Sequence, residues 1–355
     1  MPLTIVMKMK TRYTLLVPIY NLEISPEIGG EVIIGNVSFI SLNKLTNSHR
    51  KYGIPQPISH YRSHFEKWPG HFLNEASAFA CVRTANNSFA DHTEEYKRLQ
   101  EAIFILASSQ FYRSGRQNTI YFGGPEFFSH LIDQIYIFDT NSNQFNYNMT
   151  IVNSARRLCL DKHWKSNNHF FRKLLALINS NDKKIIKEWK FTIRRAAILA
   201  GQSIFARNAW EAFLYDMIAI EVLLTNEGDK FPDAIVKRLS ALFGWLALED
   251  STSWHDLVGE LYELRCKFVH DGIYKDISFF QVSKADMLLA NLLDNLPKLL
   301  RIFKCKSDVI SFANKLEARR ILGMKLIRPK NISFITKPIT DSEEQKLRSM
   351  HHWCW

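Results

Sequence analysis

Arg265 and His270 stand five residues apart in the stretch Leu261-Tyr-Glu-Leu-Arg-Cys-Lys-Phe-Val-His270-Asp-Gly272, and together they carry the chemistry needed to break a phosphodiester. A guanidinium keeps its charge and offers a planar fork of donors matched to phosphate oxygens. An imidazole has an ordinary pKa close to neutral pH, so it can take up and release a proton there. With an RNA 2′-hydroxyl as the attacking group, a phosphate clamp and a proton carrier suffice for cleavage without a metal. The same two residues also fit a plainer arrangement, in which a helix-end histidine complements the helix dipole and the arginine is simply solvated.

The elements that would position this pair can be read from spacing. Leu257, Leu261, Leu264 and Phe268 recur at helical intervals, which predicts an amphipathic helix from about Ser253, with Ser253 and Asp256 as a capping box and Gly272 as its stop. Both Arg265 and His270 fall off that apolar stripe, roughly 140° apart around the axis. Arg265 borders the core and His270 points further away. An upstream helix, from about Asn208 to Leu224, has Trp210, Phe213, Leu214, Met217 and Leu224 on its apolar stripe, and Glu221 falls on that stripe too. A carboxylate taken out of water needs a partner, because the uncompensated cost is on the order of 3–5 kcal/mol. Arg265 is the expected partner, and the pairing would orient the guanidinium and hold His270 near it. A Glu221 that reaches solvent or caps something local is the alternative.

Arg265-Cys-Lys-Phe-Val-His270, an arginine separated by four residues from a histidine at a helix end, resembles the R-x4-6-H motif of HEPN ribonucleases. The following Asp271-Gly272, the preceding Leu261-Tyr262 and the upstream Ala219-Ile-Glu-Val-Leu-Leu224 resemble the Apea-like branch of that superfamily, over roughly residues 207 to 304. The resemblance implies an all-α HEPN bundle over residues 149–330 and a dimeric, metal-independent endoribonuclease without a cofactor. Two motifs would meet at the subunit interface and leave 2′,3′-cyclic phosphate and 5′-hydroxyl ends. It also implies catalytic roles for Arg265 and His270, supporting roles for Glu221 and Cys266, and a setting in bacterial anti-phage defence or growth arrest, with a protein regulator or antitoxin as a further partner. The chain departs from the family pattern at Cys266, where active members often carry Asn, Asp or His. Some HEPN domains only bind RNA or only dimerise, and that non-catalytic reading stays open.

Composition bounds the rest. The 355 residues are 46% hydrophobic and 13% aromatic, enough for packed cores in two domains and unlike a disordered chain. No apolar run approaches the length of a membrane span, and the apolar part of the N-terminus is too short for a signal peptide, so a cytoplasmic protein with no membrane partner is expected. Five scattered cysteines without a C-x-x-C pair favour reduced thiols over a disulfide framework. The net charge is +11, and residues 155–208 hold thirteen Lys or Arg against three acids, so nearly the whole excess lies in that segment. Such a concentration suits a polyanion such as RNA, because each neutralised phosphate releases counterions; a solvated basic helix face is the alternative. Lys183, Lys187, Lys190 and Arg194, beside a stripe of Ile185, Ile186, Trp189, Ile193 and Ala197, are the candidate backbone-holding residues, with Lys267 in the motif itself.

In chain order, residues 1–148 read as a β-rich N-terminal domain with a possible sensing or regulatory role, giving an α+β protein. Strands are predicted at Tyr13–Tyr20, with Pro18 arguing for an edge, at Glu31–Ser41 around a Gly35-Asn36 turn, at Ser77–Thr84, at Thr119–Phe122 and at Gln134–Phe138. One helix is expected over Glu94–Ser109, and an irregular loop over Asn43–Gly70. The Asn- and Ser-rich run Asp139–Asn148 reads as the domain junction. From about Asn153 to Arg320 the pattern is helical, with Asn181 or Asp182 capping a helix to about Ala200, a helix from Pro232 to about Trp245, and a long apolar helix over Ala285–Phe303 kinked at Pro297. Residues 331–355 form a mixed C-terminal tail. His60, His64 and His71, and likewise His351, His352 and Cys354, have no clear further ligand to make a metal set, so no metal site is assigned. No phosphate-binding glycine loop and no Gly-x-Ser-x-Gly elbow is present.

Overall fold

The computed structural model describes residues 13–64, 76–84, 94–112, 119–122, 134–139, 144–149, 157–182, 185–247, 251–300, 302–325, 327, 332–335 and 340–351. The chain is mixed α+β, with a small antiparallel sheet near the N-terminus followed by helices. It divides into two compact units, one of residues 1–103, 120–167 and 355, the other of residues 104–119 and 168–354.

The first unit contains β1 (Tyr13–Ile19), β2 (Leu22–Ile24), β3 (Glu31–Ile34), β4 (Val37–Ser41), α1 (Leu42–Ser48), α2 (Ile58–His64), β5 (Ala78–Thr84), most of α3 (Glu94–Ala107), β6 (Gln134–Asp139), β7 (Gln144–Met149), β8 (Leu158–Leu160) and α4 (Lys162–Asn167). Its sheet runs β1-β5-β4-β3, antiparallel throughout. β5 lies inside the sheet and buries Ala78 through Val82 on both faces, whereas β1 is an edge, the position where Pro18 can do without a ladder donor. Gly35, at φ 60°, turns β3 into β4. One face of the sheet, Ile40, Phe79 and Cys81, packs on Leu45 of α1 and Ile58 of α2. Burial there pushes the Cys81 thiol up to about 11.

Four expectations for this region need correction. The polar run after Asn43 is largely helical as far as it is described, because Ser41 caps α1 by accepting from the Lys44 N–H at 3.3 Å and Leu45 is drawn into the core. Thr119–Phe122 is no strand; Ile120 and Phe122 are buried from an irregular segment, so their apolar character reflects burial without a ladder. The expected junction Asp139–Asn148 instead has both its described ends in one antiparallel pair, Asp139 opposite Gln144, since the alternation in Gln144–Met149 suits a strand; residues 140–143 lie outside the described residues. The region after Asn153 is not wholly helical either: β8 pairs in parallel with β2, a long-range match that local periodicity does not encode.

The second unit is helical: α5 (His169–Ile178), α6 (Lys187–Phe205), α7 (Ala209–Leu224), α8 (Phe231–Ala247), α9 (Ser251–Asp271), α10 (Phe279–Lys298), α11 (Lys306–Ile321) and α12 (Asp341–Ser349). α6 packs on α7, α8 on both α9 and α11, and α10 on α5 and α7. α10 is the central rod: from Phe279 to Pro297 every residue except Ser283, Lys284 and Met287 is buried. It begins six residues earlier than expected, at a capping box of Ser278 and Gln281, and ends just after Pro297, so the proline closes the helix instead of kinking its middle. Among the described residues, no helix is long and apolar enough to cross a membrane.

The division between the units falls within α3, after Ile103. Phe104 then lies against α6 at Gly201, where an added Cβ would overlap the Phe104 backbone carbonyl. Backbone on both sides leaves no flexible side chain to move aside. Gly201→Ala is therefore expected to destabilise the helical unit by about 3 kcal/mol or more, read as a fall in the urea midpoint, whereas Gly259→Ala, with open space around its Cβ, should be neutral or slightly stabilising.

Candidate active site

The motif helix α9 runs from Ser251 to Asp271 and ends where Gly272 turns left-handed at φ 68°. The Gly272 N–H reaches the Phe268 carbonyl and the Ile273 N–H reaches back to the Lys267 carbonyl, so the last carbonyls of the helix are satisfied by the turn itself. Gly272 is thus the stop that the sequence predicts. Ser253 is not the cap, since the helix already includes it.

The buried stripe of α9 is rotated from the expected one. Trp254, Val258, Leu261 and Tyr262 are buried, while Leu257, Leu264 and Phe268 are only half-buried. Helical spacing carries the true stripe on from Leu261 to Arg265, so the arginine lies on the core face of its helix and not off it. The apolar side chains misplace the stripe because a leucine at the margin of a helix face looks the same in sequence as one at its centre.

Arg265 meets Glu221 there. Its Nη2 donates to Oε2 at 2.9 Å, and its Nε lies 2.8 Å from Oε1 as an ion pair outside hydrogen-bond alignment. The two side chains are only 18% and 11% exposed. Tyr262, one turn before Arg265, lays its ring under the guanidinium, with Cζ 5.7 Å from the ring centroid. Burial, followed by the charge of Glu221, pushes the Tyr262 hydroxyl well above its ordinary range. The sequence pattern includes Tyr262 but gives it no role at the site; its place three residues before Arg265, on the same face, was the available signal. Asp216, fully buried on α7 five residues before Glu221, was also missed.

The end of α7 that presents Glu221 is held from α8. Arg238 donates to the Leu224 carbonyl at 2.8 Å and grips both carboxylate oxygens of Asp229. The Arg238 hydrogen bonds hold the Asp229 carboxyl below its usual range.

Cys266 is half-buried beside Arg265, and burial pushes its thiol up. A thiol moved in that direction stays protonated near neutral pH, so it is a packing neighbour and not a ready nucleophile. His270 is exposed on the last turn of α9. Around it Val269 and Ile273 are exposed, and Trp210 of α7 stacks with Phe268 and Tyr274, centroids 5.4 and 5.8 Å away. The structure thus gathers Arg265, Glu221, Tyr262 and Cys266 on one side and leaves His270 on an aromatic-flanked outer edge.

The expected RNA-contact residues fare unevenly. Lys267 is on the surface, in an ion pair with Glu263 at 2.7 Å that raises its pKa. Lys187 is exposed and Arg194 half-buried on α6, and Lys183 lies outside the described residues. Lys190 is turned to another use: its ammonium donates to the Ser180 and Asp182 carbonyls at 2.6 and 3.1 Å, tying down the loop before α6. The helix starts at Lys187 after Ile186, so neither Asn181 nor Asp182 caps it. Ile186, expected on the buried stripe, is 44% exposed because it stands outside the helix. His71, His352 and Cys354 also lie outside the described residues, among which no three His, Cys, Asp or Glu side chains converge as a metal site would need.

Comparison with protein-family models, with curated proteins and with solved structures finds no match to this chain.

Two outcomes follow from this geometry. Glu221→Ala and Arg265→Ala should each cost about 3 kcal/mol in urea unfolding, since each strands a largely buried charge, and the double variant should cost about 1–3 kcal/mol less than their sum. Additive costs would mean that the pair is not coupled. Arg238→Leu should cost about 1–3 kcal/mol at neutral pH. Because the folded carboxyl of Asp229 is lowered, its contribution is complete above the unfolded value, about pH 3.9, and is lost as pH falls through the folded value. The gap in thermal midpoint between wild type and Arg238→Leu should therefore narrow between pH 5 and pH 2.

Proposed function

We propose that this protein is a metal-independent endoribonuclease of the Apea-like HEPN type, acting on RNA as a homodimer in bacterial anti-phage defence or growth arrest. The observation that carries the reading is the unequal treatment of the two motif residues. Arg265 is locked by Glu221 over the Tyr262 ring, and His270 is left free in solvent at the end of the same helix. A phosphate clamp gains from being preorganised, while a proton carrier must reach its substrate. On this reading His270 moves the proton of the 2′-hydroxyl attack, and Arg265 steadies the charge that develops on the phosphate.

The dimer follows from the same asymmetry. Arg265 faces α7 and His270 lies about 140° around the axis from it, so one copy does not aim both at the same point. Val269, Ile273 and Tyr274 form exposed apolar surface next to His270, the kind of surface a second copy would cover. Lys187 and Lys267 remain as surface cations for the RNA backbone, and neither reads sequence by itself.

A non-catalytic RNA-binding or dimerisation module is the second reading, and the pairing itself favours it. A guanidinium held at two points by a carboxylate is already neutralised, and phosphate has to compete with Glu221 for it.

Degradation of a mixed RNA in EDTA separates the two. Wild type should produce 2′,3′-cyclic phosphate ends, and His270→Ala should lose at least about a hundredfold in rate, while its unfolding midpoint stays within about 0.5 kcal/mol of wild type because the residue is exposed. Equal cleavage by wild type, His270→Ala and Arg265→Ala removes the ribonuclease reading. Salt-sensitive RNA binding without products selects the second.

A further inference from the structure

The central helix α10 carries two buried asparagines one turn apart, Asn291 and Asn295, and both are spent on backbone. Asn295 donates to the Ser333 carbonyl at 2.9 Å and accepts from the Ser333 N–H at 3.3 Å. Asn291 does the same for Ile335, donating to its carbonyl at 2.9 Å and accepting its N–H at 2.9 Å. Each side-chain amide therefore serves as a strand partner for one residue of a second chain segment. The spacings agree: four residues of helix rise about 6 Å, and two residues of extended chain about 6.6 Å. Residues 333–335 run antiparallel to α10, with alternate residues facing it.

Side chains complete the site. The Ser333 hydroxyl donates to Asp294, 2% exposed, at 2.6 Å and accepts from Lys298 at 2.7 Å. Phe334 packs against Phe243 of α8 and Trp254 of α9, with centroids 6.0 and 5.6 Å away, and Ile332 is buried. These contacts read three things: an extended backbone, a hydroxyl at the first position and an aromatic ring at the next.

We propose that this face of α10 is a peptide-binding site, filled in cis by residues 332–335, that accepts an extended hydroxyl–aromatic segment of another polypeptide in their place. The observation that points beyond simple packing is the double reading of each backbone unit by a buried amide. An apolar helix face would anchor Ile332 and Phe334 without it, and burying two amides costs free energy unless every donor and acceptor finds a partner. Such a ladder recognises any chain that arrives extended, and the pocket selects the ring. The inference does not depend on the ribonuclease reading.

The probe is a fluorescein-labelled peptide of sequence Asn-Ile-Ser-Phe-Ile-Thr, that of residues 331–336, titrated by anisotropy against full-length protein. In the double variant Phe334→Ala, Ile335→Pro the resident segment loses its ring and the N–H that Asn291 accepts. The peptide should bind this variant at least about tenfold more tightly than wild type, and adding Asn291→Ala and Asn295→Ala should remove that gain. A peptide methylated on the amide nitrogen of its second isoleucine should bind about tenfold more weakly. No gain over wild type in a variant that still unfolds cooperatively overturns the proposal. Should the double variant not fold, hydrogen exchange on wild type decides: saturating peptide should speed exchange of the Ser333 and Ile335 amides, and unchanged rates overturn it. Exchange of the segment between two copies would instead appear as a peptide-sensitive dimer in sedimentation.

Discussion

α7 and α9 touch over a short stretch, and what ties them there is a carboxylate and a guanidinium taken largely out of water. Trp210 and Glu221 lie eleven residues apart on α7, about 16 Å, yet they are met by Phe268 and Arg265, which lie one turn apart on α9. An ion pair in such a place is not a cheap source of stability, because each charge must be desolvated. Its effect is on geometry: once both are buried, neither can leave without stranding the other, so the last turns of α9 are fixed in rotation against α7. Around this constraint the rest is arranged. Tyr262 supports the guanidinium from below, Arg238 holds the end of α7 that presents Glu221, and the turn at Gly272 ends α9 one residue beyond His270.

The pairing of Glu221 with Arg265 was legible in the sequence because it rests on a violation. A carboxylate on an apolar stripe demands an explanation, and the supply of buried cations in neighbouring helices is small. The end of α9 was legible for a similar reason, since a glycine after an amphipathic run marks a left-handed stop. The rotation of α9 was not legible. Leu257, Leu264 and Phe268 are as apolar as the residues that are buried, and only the packing of α8 and α9 decides which of them lie at the margin. The same limit hid Lys190, whose charge is identical whether it faces a phosphate or two backbone carbonyls.

In the N-terminal unit the reading held where a strand alternates and failed where pairing is remote. β1, β5 and the β3–β4 hairpin follow from apolar runs and the Gly35 turn. β2 and β8 are three residues each and more than a hundred residues apart, so neither has a signal without the other. The helices α1 and α2 arise in a polar, proline-bearing stretch because few apolar side chains, Leu45 and Ile58 among them, suffice once a sheet face is there to receive them. Tertiary burial, not local propensity, decides such segments.

Holding and freeing are distributed along one helix by exposure alone. From Tyr262 to Arg265 α9 is packed against charge and ring; from Val269 onward it is exposed, and the exposed residues are a valine, an imidazole and a carboxylate, then, past Gly272, an isoleucine and a tyrosine. Tyr274 packs against Trp210 and Phe268 within the copy, while Val269 and Ile273 stand exposed beside His270. Something that covered this edge would bury the valine and the isoleucine. On the proposed reading that something is a second α9 with its own His270, brought near by the same side chains that one copy leaves uncovered. The fixed rotation imposed by Glu221 then matters at a distance: turning α9 by one residue, about 100°, would carry His270 off the edge where the apolar surface lies.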